Sequence, residues 1–234
     1  MNTKASYGKE YFEGIYAYLK KEKSPVLRSF FDLLISEQAG IKKILDVGCG
    51  EGEFLEICQK AGTECFGVDI SNYALKKAKG KVKGKLASVN VETEKLPYPD
   101  EYFDTITSFD LLEHLRNPGF LFRELKRVLK KDGLLFLTTP NGDYWPAGFL
   151  GHFVRDDPTH INIQGKKYWC KYLKKAGFSS IKIKGSLLFG FPPSLELRHL
   201  FKRIRIPVLT RPIFFPILPL TSELFIFARK QGAK

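Results

Sequence analysis

Ile44-Leu45-Asp46-Val47-Gly48-Cys49-Gly50-Glu51-Gly52-Glu53-Phe54 opens as a short apolar run, meets an acid, passes three alternating glycines and enters a helical pattern. Glycine carries no Cβ, so the backbone can turn sharply there and a ligand can approach it closely. A helix that starts directly behind such a turn points its unpaired N–H groups into it. The stretch reads as a cofactor cradle at the end of a strand.

Its spacing narrows the cofactor. A nicotinamide-binding turn reads G-x-G-x-x-G, and Gly48 and Gly50 fit, but Glu53 stands where that turn packs a small residue. Asp46 sets an anion two residues before the first glycine, which suits a ligand carrying an ammonium or sulfonium better than a pyrophosphate. The next strand-like run, Glu64 to Ile70, contains Asp69, about twenty residues past the glycines, where an acid accepts ribose hydroxyls. Dinucleotide and S-adenosylmethionine sites share that acid. The acid-x-Gly-x-Gly-x-Gly spacing separates them.

Asp46-Val47-Gly48-Cys49-Gly50-Glu51-Gly52 resembles motif I of the class I S-adenosylmethionine-dependent methyltransferases. Leu96-Pro97-Tyr98-Pro99-Asp100-Glu101-Tyr102-Phe103-Asp104 resembles that family's approach to strand 4, and Leu112-Glu113-His114-Leu115 the segment after it. Gly133 to Asn141 resembles strand 5 and its exit. The resemblance runs from Lys42 to Phe178 and is closest to the ubiquinone-biosynthesis-like and type 11 branches.

The surrounding pattern agrees. Strand signals at Lys43–Val47, Glu64–Ile70, Lys85–Asn90, Phe103–Phe109, Gly133–Thr138, Ser180–Leu187 and Leu224–Lys230 alternate with helical patterns at Gly52–Ala61, Asn72–Lys79, Pro118–Leu129 and Gly165–Ala176. Such alternation argues an α/β fold, a parallel sheet with helices on both faces. The resemblance implies a Rossmann-like, seven-stranded sheet with six strands parallel and the last antiparallel. We expect a single domain over 1–234: an N-terminal helical cap (1–41, with a helical pattern at Pro25–Ala39), a cofactor-binding core (42–187), an insertion between strands 6 and 7 (188–222), and the last strand with its tail (223–234).

The resemblance also implies roles. Asp46, Gly48, Cys49 and Gly50 would meet the methionine portion of S-adenosylmethionine, and Asp69 with Ile70 the ribose. Asn90 and the N–H of Val91 would meet the adenine, with Glu92 as the competing acid, and Phe109 is a further cofactor-binding candidate. His114, in the family's Glu-His position, is the first candidate for general base, since an unperturbed imidazole titrates near neutral pH. A histidine that caps a short helix or hydrogen-bonds beneath the cofactor is the competing reading. In ubiquinone-type enzymes an acid-x-x-Glu-His set is associated with a divalent metal, and Asp110-x-x-Glu113-His114 keeps that pattern. Three residues on one short stretch carry little weight, and no metal ligand is assigned. His160, within Asp157-Pro158-Thr159-His160, is the second base candidate. Tyr144, Trp145 and Phe153 either line an acceptor pocket or seal the fold.

Composition bounds the rest. The chain has 234 residues, 44% of them hydrophobic and 27% charged, an ordinary balance for a globular protein. Met1 to Lys23 is polar and lysine-rich, without the apolar core of a signal peptide. Cys49, Cys58, Cys65 and Cys170 show no metal spacing and read as thiols of a reducing compartment, so a cytoplasmic location is expected. The net charge of +13 concentrates at Lys76, Lys77, Lys79, Lys81, Lys83 and Lys85, read as a solvated face, and at Arg198, Lys202, Arg203, Arg205 and Arg211. The arginine group interleaves with apolar residues and prolines in a connection longer than ordinary loops. Its longest uncharged run, Pro212 to Ser222, is too short for the roughly 20 residues of a membrane span. A lid, a dimer interface or a peripheral patch for an anionic membrane surface are the open readings, and oligomeric state is not legible.

The expected function is S-adenosylmethionine-dependent methyl transfer, by preference to an oxygen of a small-molecule, lipid or glycan acceptor. A nucleic-acid (RNA) methyltransferase is disfavoured because no Asn-Pro-Pro-Tyr follows strand 4 and no Pro-Cys nucleophile is present. A non-catalytic cofactor-binding scaffold is the reading from another class.

Overall fold

The computed structural model describes residues 7–13, 17–144, 159–187, 213–215 and 221–231. A single turn, α1 (Lys9–Tyr11), and a long helix, α2 (Ala17–Glu37), precede the sheet. Then follow β1 (Lys43–Val47), α3 (Glu53–Lys60), β2 (Glu64–Asp69), α4 (Asn72–Ala78), β3 (Lys85–Ser88) and β4 (Phe103–Phe109). The second half holds α5 (Gly119–Val128), β5 (Leu129–Pro140), α6 (Lys166–Ala176), β6 (Phe178–Leu187), β7 (Ile213–Phe215) and β8 (Glu223–Lys230).

The strands form one sheet in the order β3-β2-β1-β4-β5-β8-β6-β7. β1 pairs in parallel with β2 and β4, β2 with β3, and β4 with β5, whereas β8 runs antiparallel to both β5 and β6. That is the expected seven-stranded sheet, six strands parallel and the last antiparallel. One strand is added: β7, inside the expected insertion, pairs antiparallel with the outer edge of β6. Three residues give only a weak sequence signal for a strand, and the edge of β6 supplies the missing partner.

Alternation along the strands divides the apolar side chains between two layers. Ile44, Phe136, Phe225 and Phe227 pack with Phe30, Phe31 and Leu34 of α2 and with Phe54, Leu55 and Cys58 of α3. Leu45, Val47, Ile106, Leu135 and Leu137 pack on the other face with Leu121, Phe122 and Leu125 of α5 and with Trp169 and Leu173 of α6. Burial of so many large side chains on both faces supplies the main driving force. It also holds the carboxyl ends of β1, β2 and β4 at one edge.

Of the boundaries that differ from expectation, three have a physical reason. α2 begins at Ala17 and carries Pro25 inside it, whereas the sequence placed the proline at the start. Pro25 lies on the exposed side of the helix, where water can take the carbonyl its ring leaves unbonded. β5 begins at Leu129, which pairs with Phe103 before a register shift, so the strand extends through Lys130 to Asp132. β3 ends at Ser88, two residues early, because Asn90 folds into a side-chain turn.

Candidate active site

The glycine turn follows β1 directly. Gly48, Gly50 and Gly52 all have positive φ (78°, 52° and 80°), a region that favours glycine. The N–H groups of Gly48 and Cys49 both donate to the Val68 carbonyl (2.8 and 3.1 Å), tying the turn to β2. Gly52 caps α3, and a Cβ there would stand 2.9 Å from Val82 Cγ2 and 3.1 Å from Ala78 Cβ. The third glycine therefore lets α3 approach α4. Glu51, fully buried, is clamped by Lys77 (3.0 Å) and Lys81 (3.9 Å), and Lys81 also reaches Glu53 (3.2 Å). Two of the lysines read as a solvated face thus hold the glycine turn. Sequence spacing missed them because the chain after α4 runs back beside α3.

Two acids are buried beside the turn. Asp46 accepts a hydrogen bond from the Thr107 hydroxyl (2.8 Å). Burial pushes its carboxyl up to about 7, against the pull of Thr107, and the charge of Asp69 adds to the rise. Asp69 accepts from the N–H of Gly50 (2.9 Å) and of Ser71 (2.8 Å). Its carboxyl is raised by burial, opposed by those bonds and by one from the Ile70 N–H. Among the described residues no Lys or Arg contributes to either acid's titration. A pair of buried carboxylates without a cation fits a ligand that brings one, as S-adenosylmethionine does through its sulfonium and ammonium.

The remaining cofactor candidates divide. The Asn90 side-chain oxygen accepts from the Glu92 N–H (3.1 Å) and its own N–H donates to Glu94 (3.1 Å). Glu92 turns to the other side and accepts from the N–H groups of Arg116 (2.8 Å) and Asn117 (3.1 Å), which commits it to holding the loop after β4. Val91 has its side chain in the core, and among the described residues no backbone acceptor bonds its N–H. The Cys49 thiol is buried, and burial with the nearby Asp69 and Asp46 holds its pKa well above the thiol range. The Phe109 ring packs between Phe30 (5.0 Å), Phe54 (4.8 Å) and Phe136 (5.1 Å), so its backbone is the part left at the edge of the sheet.

Beyond β4 a second group of polar side chains gathers. His114, in a single 3-10 turn, is buried, with Nδ1 3.2 Å from the Thr159 carbonyl. A carbonyl only accepts, so Nδ1 carries the proton of the neutral ring and Nε2 is left with its lone pair. The His160 ring stacks edge-on against His114 (4.8 Å) and its Nε2 lies 4.0 Å from Glu113 Oε1. The Glu113 carbonyl accepts from the N–H groups of Ile161 (2.9 Å) and Asn162 (2.8 Å), which docks the His160 segment here. The structure thus brings the two base candidates together from segments forty-six residues apart.

Glu113, His114 and His160 place one ligand atom each within 4.8 Å of one another, a donor set of carboxylate and imidazole that fits a divalent cation. Sequence reasoning missed Glu223. It is buried at the start of β8, opposite Pro140, and its Oε1 has no hydrogen-bond partner among the described residues. Burial, with Asp110 and Glu113 adding like charge, holds its carboxyl well above the carboxylate range. The only signal was an acid at the head of an apolar strand. Trp145, Phe153, Asp157 and the arginine group from Arg198 to Arg211 lie outside the described residues.

A glycine turn behind β1, an acid at the end of β2 and a sheet closed by an antiparallel strand define a class I S-adenosylmethionine-dependent methyltransferase. The comparisons agree. A family profile described as a methyltransferase domain matches residues 16–183, and the chain belongs to that family. A ubiquinone biosynthesis O-methyltransferase of Yersinia enterocolitica is 31% identical over 176 residues, covering 72% of this chain and 67% of that protein. One from Hydrogenovibrio crunogenus is 25% identical over 170 residues, covering 70% of each. A crystal structure of an S-adenosylmethionine-dependent methyltransferase from Archaeoglobus fulgidus superposes with a TM-score of 0.67 at 24% identity, covering 93% of this chain and all of that one. The methyl donor is S-adenosylmethionine.

Proposed function

We propose that the protein methylates an oxygen of a small-molecule, lipid or glycan acceptor, with His114 as general base. The observation that carries this is the Nδ1 contact to the Thr159 carbonyl, which leaves Nε2 of a buried ring able to accept a proton. Two relatives named as O-methyltransferases support oxygen as the acceptor atom. When bound, S-adenosylmethionine supplies an electrophilic methyl on a sulfonium, displaced in line to leave a neutral thioether. Asp69 and the Gly50 N–H hold the turn in the shape that receives it, and Asp46 balances its positive end. His114 Nε2 takes the hydroxyl proton as the oxygen attacks, and His160 flanks the imidazolium that results.

Replacing His114 with Ala should lower turnover by on the order of 10²–10⁴ while cofactor affinity barely changes. The acceptor is found first, by transfer of labelled methyl to fractionated small molecules and lipids. Unchanged turnover in the variant would move the role to His160 or leave positioning alone as the source of rate.

Glu113, His114 and His160 favour a second reading, in which these three side chains hold a divalent cation. Such a cation would acidify the acceptor hydroxyl in place of an imidazole base. Turnover that disappears on chelation and returns with magnesium or manganese selects this reading; turnover indifferent to chelation selects the free base.

We propose also that segment 188–222 contributes contacts to an anionic, partly apolar acceptor or membrane surface. Its alternation of basic and apolar residues supports this, since each basic side chain near an anionic surface adds about 1 kcal/mol, screened by salt. No described helix is long and apolar enough to cross a membrane. Binding to anionic vesicles should fall as ionic strength rises and when Arg203 and Arg205 become Glu. Salt-independent binding, or none, would remove the surface from this reading.

A further inference from the structure

The glycine turn is held in two halves by different parts of the chain. Gly48, Gly50 and Gly52 all have positive φ, and such a backbone has little conformational preference of its own. The first half is fixed from β2: the Gly48 and Cys49 N–H groups donate to the Val68 carbonyl, and the Gly50 N–H donates to Asp69. The second half is fixed from the segment after α4. There the Lys81 ammonium donates to the Glu51 backbone carbonyl (3.1 Å) and to Glu53 Oε1 in the first turn of α3 (3.2 Å). It also stands 3.9 Å from the Glu51 carboxylate. The Gly52 N–H, on the same peptide as the Glu51 carbonyl, donates to the Cys49 carbonyl (2.9 Å). Both polar ends of the 51–52 peptide are therefore engaged, one of them by a cation.

Lys81 is itself anchored. Gln59, near the end of α3, donates to the Lys81 carbonyl (3.4 Å) and accepts from the Lys83 N–H (2.7 Å). Val82, buried between them, fills the space beside Gly52. Residues 81–83 thus lie along α3 as a bracket, gripped at Gln59 and gripping the turn through Lys81. Glu51 supplies the charge that draws the lysines in. Its side chain is 2% exposed, and a carboxylate at that depth needs a partner. Lys77, on α4, stands 3.0 Å from it.

We propose that Lys81, assisted by Lys77, is a positioning residue for S-adenosylmethionine. It sets the 51–52 peptide, and with it the shape in which the glycine turn receives the cofactor. A tether that served only to join α3 to α4 would need the two carboxylates; the bond to a carbonyl inside the turn is the contact that points to the cofactor. This role rests on the reading that the turn receives S-adenosylmethionine, and Asp69→Ala tests that reading separately.

Calorimetric titration of S-adenosylmethionine into the intact chain and its variants, each with its melting temperature, tests the clamp. Lys81→Met keeps the stem and removes the charge. It should weaken binding about five- to twentyfold, the scale of losing charged hydrogen bonds at a partly exposed group. Lys81→Arg keeps the charge and the donors and should recover most of the affinity. Lys77→Met, on the more exposed arm (40% against 29%), should weaken binding about two- to fivefold, and it carries the test if Lys81→Met does not fold. Lys79→Met, exposed on the same run of lysines, should bind as the wild type does. A purely structural tether would lower the melting temperature and leave the affinity of the folded protein unchanged. Unchanged affinity in Lys81→Met and Lys77→Met, or an equal loss in Lys79→Met, would overturn the clamp. If Asp69→Ala still weakens binding in that case, the cradle stands without the clamp; if it does not, both fall.

Discussion

A carboxylate buried as deeply as Asp46 is an electrostatic liability until a cation reaches it. With its pKa raised to about 7, it takes up a proton on folding wherever the pH lies between the ordinary aspartate value and 7. The unfolded chain binds fewer protons there, so this group's contribution to stability falls as pH rises through that window and is constant above it. In the ligand-free protein, Asp46→Asn should gain on the wild type by up to roughly 1.4 kcal/mol per pH unit inside the window, read as melting temperature across pH 4–8. A gap that stays flat with pH would show that the acid is already ionised and balanced. Asp69 gives a complementary prediction. Asp69→Ala removes the proposed ribose acceptor and the two backbone hydrogen bonds that shape the turn. S-adenosylmethionine binding should weaken by about 1.5–3 kcal/mol in calorimetry, the usual cost of lost charged hydrogen bonds. Unchanged affinity would place the ribose elsewhere.

Between elements, one tight constraint is the junction of α3 with α4. Gly52 has φ 80° and lacks room for a Cβ, because Val82 and Ala78 crowd the position. Gly62 has φ 87° with nothing within 4 Å of an added Cβ. Both substitutions to Ala carry the cost of left-handed backbone, about 1–2 kcal/mol, and only Gly52→Ala adds steric overlap, about 1–3 kcal/mol more. Urea titration should therefore rank Gly52→Ala clearly below Gly62→Ala, and equal losses would mean that α3 can shift without resistance. The same junction explains the lysines. Lys77 and Lys81 lie far from Glu51 in sequence, and only the return of the chain beside α3 sets them on its carboxylate.

Across the whole molecule the glycine cradle and β7, the described strand of the insertion, lie at opposite ends of the sheet. β1, β2 and β4 carry the cradle, and β7 is added at the far edge beyond β6. Among the described residues the insertion meets the sheet through three register pairs of β7 with β6, through Phe214 against Phe225 (5.3 Å) and Lys184 (5.2 Å), and through the Thr221 and Ser222 carbonyls, which accept from Asn141 just past β5 (2.7 and 2.9 Å). Replacing 188–222 with a short hairpin should accordingly leave S-adenosylmethionine affinity within about twofold, which is under 0.5 kcal/mol, and abolish turnover on the native acceptor. Lost cofactor binding would show that the two ends are coupled through the sheet.

Local chemistry made the cradle legible. Three glycines at alternate positions with an acid before them need no distant partner to be understood, because positive φ and close approach are properties of the residues themselves. Strand and helix periods likewise placed β1, β4 and α3 to α6 within a few residues, since each period reports one buried face. The second half of the site was illegible for the opposite reason. His160 reaches His114 only because the Glu113 carbonyl docks its segment, and Glu223 reaches Asp110 and Glu113 only because β8 inserts antiparallel between β5 and β6. Neither contact has a local periodicity to announce it. Local sequence determines which backbone can turn and which face is apolar, whereas the juxtaposition of polar side chains from separate strands is decided by the order of the strands in the sheet.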